Sequence, residues 1–129
     1  MRSGAESASI RPMRVTVLIV DDHAPFRAKA RALLEGEGFE VVGEAADARS
    51  ALEEAARLRP QVVLLDVQLP DVDGFDVAAR LASSGDPPAV ILTSTRAASS
   101  YRRRLAESPA RAFIPKSELS GEALAALVA

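Results

Sequence analysis

Apolar positions along the chain fall into five short runs separated by stretches of helical spacing. Val15-Thr16-Val17-Leu18-Ile19-Val20 is nearly all apolar and β-branched, the pattern of a strand buried on both faces. Asp21-Asp22-His23 stops it, and Ala24 to Glu37 then carries Phe26, Ala30, Leu33 and Leu34 on one helical face. Gly36 and Gly38 punctuate its end. A short strand, Glu40 to Glu44, is expected around Val41-Val42, followed by an ordinary loop at Gly43-Glu44-Ala45. Asp47 reads as the N-cap of a helix reaching Arg59, with Ala51, Leu52, Ala55 and Leu58 inward, and Pro60 ends it. Gln61 to Leu65 is a third strand, closed by Asp66. Phe75, Ala78, Leu81 and Ala82 mark a third helix, and Ala89-Val90-Ile91-Leu92 a fourth strand ending at Thr93-Ser94. A weaker helix is expected from Ala97 to Glu107, then a short strand, Ala112-Phe113-Ile114, leading to Pro115-Lys116. Ser120 can cap a last helix bearing Leu124, Leu127 and Val128. Five βα units in strict alternation predict an α/β fold: a doubly wound, five-stranded parallel sheet with helices on both faces.

Composition narrows the function. Alanine supplies 25 of the 129 residues and aromatics only five, so the core is built from Leu, Val and Ala. The net charge of −2 argues against direct nucleic-acid binding, whose sequence-independent part needs clustered Lys and Arg. The absence of cysteine excludes disulfides, thiolate metal sites and cysteine nucleophiles, and fits a cytoplasmic setting. A single histidine, His23, excludes multi-histidine metal sites. No apolar run approaches the roughly 20 residues that cross a bilayer, so no membrane role is expected. Residues 1–13 are expected to be a flexible leader without the apolar centre of a secretory signal, and residues 14–129 a single domain with no second one after it.

Chemistry collects at the carboxyl ends of strands in open α/β sheets. Strand one ends in Asp21-Asp22, strand three in Asp66, strand four in Thr93-Ser94, and strand five leads into Lys116. Three carboxylates in one cleft repel one another, and a divalent cation relieves the conflict. Mg²⁺ suits such oxygen ligands and works with phosphate oxygens. A hydroxyl and an ammonium facing the same cleft can stabilise a phosphoryl group, with one carboxylate as the nucleophile.

Four segments carry a resemblance: Val17-Leu18-Ile19-Val20-Asp21-Asp22-His23, Val63 through Gly74, Ile91-Leu92-Thr93-Ser94 and Phe113-Ile114-Pro115-Lys116. In this order the chain resembles the receiver domains of bacterial two-component response regulators, from about Met13 to Ala129. The Asp-Asp-His start and Val41-Val42-Gly43-Glu44-Ala45 are most like receivers with a helix-turn-helix output, the NarL/FixJ/LuxR type. The resemblance implies a flavodoxin-like three-layer sandwich with sheet order 2-1-3-4-5. It implies Asp66 as phosphoacceptor, and Mg²⁺ (or Mn²⁺) held by Asp22, by Asp21 through water, by Asp66 and by the backbone carbonyl of Gln68. Thr93 would be the switch hydroxyl, Lys116 the partner of the phosphoryl group, and Phe113 the aromatic that turns inward when Thr93 moves. Gln68 and Thr95 occupy the positions that tune phosphoryl lifetime. The implied partners are a sensor histidine kinase or phosphotransfer protein, and a second copy or an output domain at the surface of helix four, strand five and helix five. The chain is then a switch that assists its own phosphotransfer and dephosphorylation, not an enzyme acting on other substrates.

Some residues depart from the family pattern. Proline commonly follows the family's lysine, whereas Pro115 precedes Lys116 here and Ser117 follows, so no cis Lys116–Ser117 bond is expected. Glu107-Ser108-Pro109-Ala110 replaces the usual Ala-Gly-Ala. Other readings compete for individual residues. Asp21 and Asp22 alone would suit helix caps, Phe113 alone is ordinary core, and His23 reads as a loop or capping residue. Tyr101-Arg102-Arg103-Arg104 reads as a solvated helix face, and Asp71 and Asp73 as turn formers before helix three. Two other functions compete with the receiver reading. A haloacid-dehalogenase-type phosphatase needs a second acid where Gln68 stands, and a phosphate-independent interaction module typically lacks one of the residues kept here. A nucleotide-binding Rossmann domain needs a Gly-x-Gly-x-x-Gly after strand one, and this chain has none there.

Overall fold

The structure is a computed structural model that describes residues 14–128. The leader assigned to residues 1–13 lies outside the described residues. The elements alternate as β1 (Thr16–Val20), α1 (Ala24–Gly36), β2 (Glu40–Ala45), α2 (Ala48–Leu58), β3 (Val62–Asp66), α3 (Gly74–Ala82), β4 (Ala89–Ser94), α4 (Arg102–Glu107), β5 (Ala112–Pro115) and α5 (Gly121–Val128). All neighbouring strands pair in parallel, in the order β2-β1-β3-β4-β5.

The buried runs divide their side chains between two cores. Val17, Ile19, Val62, Leu64 and Ile91 pack with Ala30, Leu34 and Leu124 of α1 and α5. Leu18, Val20, Val63, Leu65 and Leu92 pack on the other face with Ala48, Ala51, Val77, Ala78 and Leu81 of α2 and α3. Period-two alternation places consecutive strand residues in opposite cores. Each fully buried aliphatic side chain contributes about 1.5–3 kcal/mol. Both predicted caps are present: Asp47 Oδ1 accepts from Ser50 N at 2.8 Å, and Ser120 Oγ from Ala123 N at 3.0 Å. The α2 helix ends at Arg59, in the left-handed region at φ 50°, just before Pro60.

Several local expectations change. Strand β2 continues through Gly43-Glu44-Ala45 in place of the expected loop, because Leu18, Ile19 and Val20 pair with these residues. Glu44 then meets Arg27 Nε at 2.9 Å and Arg31 Nε at 2.8 Å. The Ala97–Glu107 helix divides into a 3₁₀ turn, Ala98–Tyr101, and the short α4. Ser99 and Ser100 favour the helix weakly, and the break turns Tyr101 into the core. Tyr101 is 8% exposed, between Phe75 and Phe113 at ring separations of 5.7 and 5.9 Å, so it is not part of a solvated face. Arg102 and Arg103 are exposed as expected. Phe26, expected in the core beside Ala30 and Leu34, is only half-buried. No cis peptide bond occurs among the described residues, in keeping with the Pro115-Lys116-Ser117 order.

Candidate functional site

Parallel strands align their carboxyl ends, and the register puts the reactive side chains side by side. Asp66 ends β3 opposite Thr93 of β4, and Thr93 pairs in turn with Ile114, two residues before Lys116. Asp21 follows β1, its N–H held by the Ala45 carbonyl at 3.0 Å. The loop after Asp66 is drawn in by two hydrogen bonds, Val67 N to the Thr93 carbonyl at 2.9 Å and Gly74 N to the Val67 carbonyl at 2.7 Å. Gly74 is required at this spot. A Cβ there would collide with the Asp66 carbonyl and lie 2.8 Å from Val67 Cα.

Asp66 is 3% exposed. Its Oδ1 accepts from Gln68 N at 3.0 Å, and its Oδ2 from Lys116 Nζ at 3.3 Å. Lys116 Nζ also lies 2.5 Å from Oδ2 of the fully buried Asp21, an ion pair without an aligned hydrogen bond. A third neighbour is the Phe26 ring, whose centroid is 4.4 Å from the same ammonium. Burial pushes the Asp66 carboxyl up from 3.8 to about 6; the Gln68 N–H pulls it down, Asp21 pushes it up, and Lys116 pulls it down. Desolvation therefore outweighs the lysine, yet the group still loses its proton below pH 7 and stands there mostly as a carboxylate. Thr93 Oγ1 is fully buried and has no hydrogen-bond partner among the described residues. Such a hydroxyl costs stability unless something reaches it.

Asp22, Asp66 and Lys116 open onto a cavity of about 260 Å³, lined also by His23, Gln68 and Thr95. Both positions assigned to phosphoryl lifetime thus face this cavity. Phe113 does not line it; its ring packs tilted, at 56°, against Tyr101 on the α4 side. A larger cleft, about 440 Å³, lies between the C-terminal ends of α2 and α3 and touches none of these groups. Ligand atoms of Asp21, Asp22, His23 and Asp66 all lie within 4.8 Å of one another. Clustered carboxylate oxygens, with a single ammonium between Asp21 and Asp66, fit a hard divalent cation.

Sequence reasoning missed three contacts around the site. Asp71 is more than a turn former: it accepts from Ala48 N at 2.9 Å and Arg49 N at 3.1 Å, capping α2 from the β3–α3 loop. These N–H groups hold its carboxyl below the usual range. Asp73 caps α3 through Phe75 N at 2.7 Å and meets Arg104 Nη2 at 2.5 Å. His23 places Nδ1 3.1 Å from Asp22 Oδ1 and 3.4 Å from Asp21 Oδ1. The Asp73 cap is local, an acid directly before the first helical residue, and the Asp-Asp-His adjacency hinted at the last contact; no local pattern announces Asp71 on α2 or Arg104 on Asp73.

Residues 17–128 match the family model of the response regulator receiver domain. The chain is 41% identical over 102 residues to the virulence-factor transcription regulator BvgA of Bordetella pertussis, covering 79% of this chain and 49% of that protein. It is 38% identical over 115 residues to a protein-glutamate methylesterase/protein-glutamine glutaminase of Alkalilimnicola ehrlichii, covering 85% of this chain and 29% of that one. Among solved structures, the NarL signal receiver domain of Mycobacterium tuberculosis superposes with a TM-score of 0.82 at 33% identity, covering 91% and 98% of the two chains. The chain therefore belongs to the receiver-domain family of response regulators and is a signalling domain of two-component type. It spans about half of BvgA and less than a third of the methylesterase, two relatives whose names describe different outputs.

Proposed function

We propose that Asp66 is the phosphoacceptor of a phosphorylation-driven switch. The observation that carries this is one arrangement: a buried Asp66 carboxylate bonded to Lys116, in register with a buried Thr93 hydroxyl that has no partner among the described residues. An Asp66 oxygen attacks the phosphorus of a phosphohistidine on a sensor kinase or phosphotransfer protein, or of a small phosphodonor. The P–N or P–O bond to the donor breaks, and an aspartyl phosphate forms. Lys116 moves from the carboxylate pair to a phosphoryl oxygen, and the Thr93 hydroxyl donates to another. Asp21, Asp22, Asp66 and the Gln68 carbonyl would hold Mg²⁺ or Mn²⁺, which when bound neutralises charge on the phosphoryl oxygens. Gln68 and Thr95, at the cavity mouth, would control the approach of water and so the lifetime of the aspartyl phosphate.

Thr93 and Phe113 transmit the change. Movement of Thr93 vacates space beside β5, and Phe113 turns inward from its contact with Tyr101. The surface formed by α4, β5 and α5 then changes for a second copy or an output domain. Among the described residues no helix is long and apolar enough to cross a membrane, and we place the switch in the cytoplasm with its kinase. The test is BeF₃⁻, which mimics a phosphoryl group on a carboxylate. With Mg²⁺ it should shift the amide resonances of Thr93 and Phe113 in wild type and leave the Asp66→Asn variant unchanged; equal shifts in both would reject Asp66.

A further inference from the structure

The proposed oxygen ligands do not account for the position of His23. Its Nδ1 stands 3.1 Å from Asp22 Oδ1 and 3.4 Å from Asp21 Oδ1, and the backbone N–H of His23 donates to the latter oxygen at 2.8 Å. Neighbouring corners of an octahedron with ~2.1 Å bonds are about 3 Å apart, and opposite corners about 4.2 Å. The imidazole nitrogen is therefore already at edge distance from one acid, and the whole group of four ligand atoms falls within 4.8 Å. The His23 side chain is 69% exposed, so closing the remaining gap requires a side-chain rotation and no repacking of the core. The backbone cooperates, because His23 sits at the start of α1 in an extended conformation and its side chain caps nothing there.

Resting on the acidic cation site proposed above, we infer that His23 Nδ1 is a direct ligand and tilts that site from Mg²⁺ towards first-row transition ions of the Mn²⁺ and Co²⁺ class. Mg²⁺ takes oxygen and retains its waters, so an imidazole adds little to its binding. First-row transition ions accept an imidazole better than Mg²⁺ does, Mn²⁺ least and Co²⁺ more, so exchanging one water for Nδ1 strengthens their binding in that order. His23 then sets metal specificity, while the carboxylates supply the charge for either ion.

The chain has one histidine, which makes the test unambiguous. Mn²⁺ is added to the purified chain, and electron spin-echo envelope modulation reads the nitrogens coupled to it. A directly coupled ¹⁴N signal is expected, and it should change to the ¹⁵N pattern when only histidine is ¹⁵N-labelled. In parallel, His23→Ala should weaken Co²⁺ binding on the order of tenfold while Mg²⁺ binding changes by less than about twofold. Bound Mn²⁺ without a coupled histidine nitrogen, or equal weakening of both ions, overturns the role of His23 and leaves the carboxylate site standing. Failure of Mn²⁺ and Mg²⁺ to bind at millimolar concentration overturns both readings.

Discussion

Replacing Asp66 with asparagine should stabilise the metal-free protein. The folded state holds this carboxyl at about 6, against 3.8 for an unperturbed aspartate. An acid raised on folding prefers its protonated form, so its ionised form weakens the fold above pH 6, and the penalty disappears below pH 3.8. Proton linkage makes the full difference up to about 3 kcal/mol, an upper figure because Asp66 titrates together with its neighbours. With the side chain 5% exposed, solvent screens little of it. The substituted amide keeps an oxygen for the Gln68 N–H, and the attraction of Lys116 for the ionised carboxylate is already contained in that figure. Discounted for the coupled titration, the gain is about 1–2 kcal/mol at pH 8, roughly 4–8 °C in Tm for a domain of this size. Thermal unfolding followed by circular dichroism in EDTA, from pH 5 to pH 8, measures it. The gain should shrink towards zero at pH 5. Saturating Mg²⁺ should narrow it at pH 8, because only the wild type keeps the full ligand set. An Asp66→Asn variant no more stable than wild type at pH 8 in EDTA, or a difference independent of pH, would refute the assignment of desolvation as the dominant effect at Asp66.

Three further outcomes are expected. Thr93→Val removes a buried hydroxyl without a partner, so the resting protein should gain about 1 kcal/mol in urea unfolding while its BeF₃⁻ response is lost. Gly74→Ala forces a Cβ into the Asp66 carbonyl and Val67, and should cost about 1–3 kcal/mol in the same measurement and slow phosphorylation by displacing the acceptor. Asp71→Ala removes the acceptor of the Ala48 and Arg49 N–H groups and leaves Asp47 as the remaining cap of α2, so the Tm should fall at pH 7; because the carboxyl is held below its usual range, that difference should fade as the pH drops through its depressed value.

The elements and the reactive quartet are legible in the sequence for one physical reason. A parallel sheet buries both faces, so its strands appear as apolar runs, and its topology gathers their carboxyl ends. Asp21, Asp66, Thr93 and Lys116 therefore meet although up to 95 residues separate them in the chain. Asp47 and Ser120 are legible because a cap acts within its own helix. Asp71 is not, since it caps a helix that starts 23 residues earlier, and no local spacing encodes that contact. Tyr101 is hidden by the arginines beside it. Its burial follows from the gap between Phe75 and Phe113 and from its hydroxyl, 3.0 Å from Ser94 Oγ. Phe26 looks like core because helical spacing gives the face of a residue but not the ammonium that Lys116 brings to it. Gly43-Glu44-Ala45 falls between the strand and loop readings because the apolar run stops at Val42; pairing with Leu18, Ile19 and Val20 carries β2 through it, and Arg27 and Arg31 meet the acid.

The central claim is that Asp66 accepts a phosphoryl group. Intact-mass analysis after incubation with acetyl phosphate, with and without Mg²⁺, tests it most directly. A single labile phosphoryl adduct that requires Mg²⁺ and disappears in Asp66→Asn is the expected result. An adduct that persists in that variant at the same stoichiometry would contradict it.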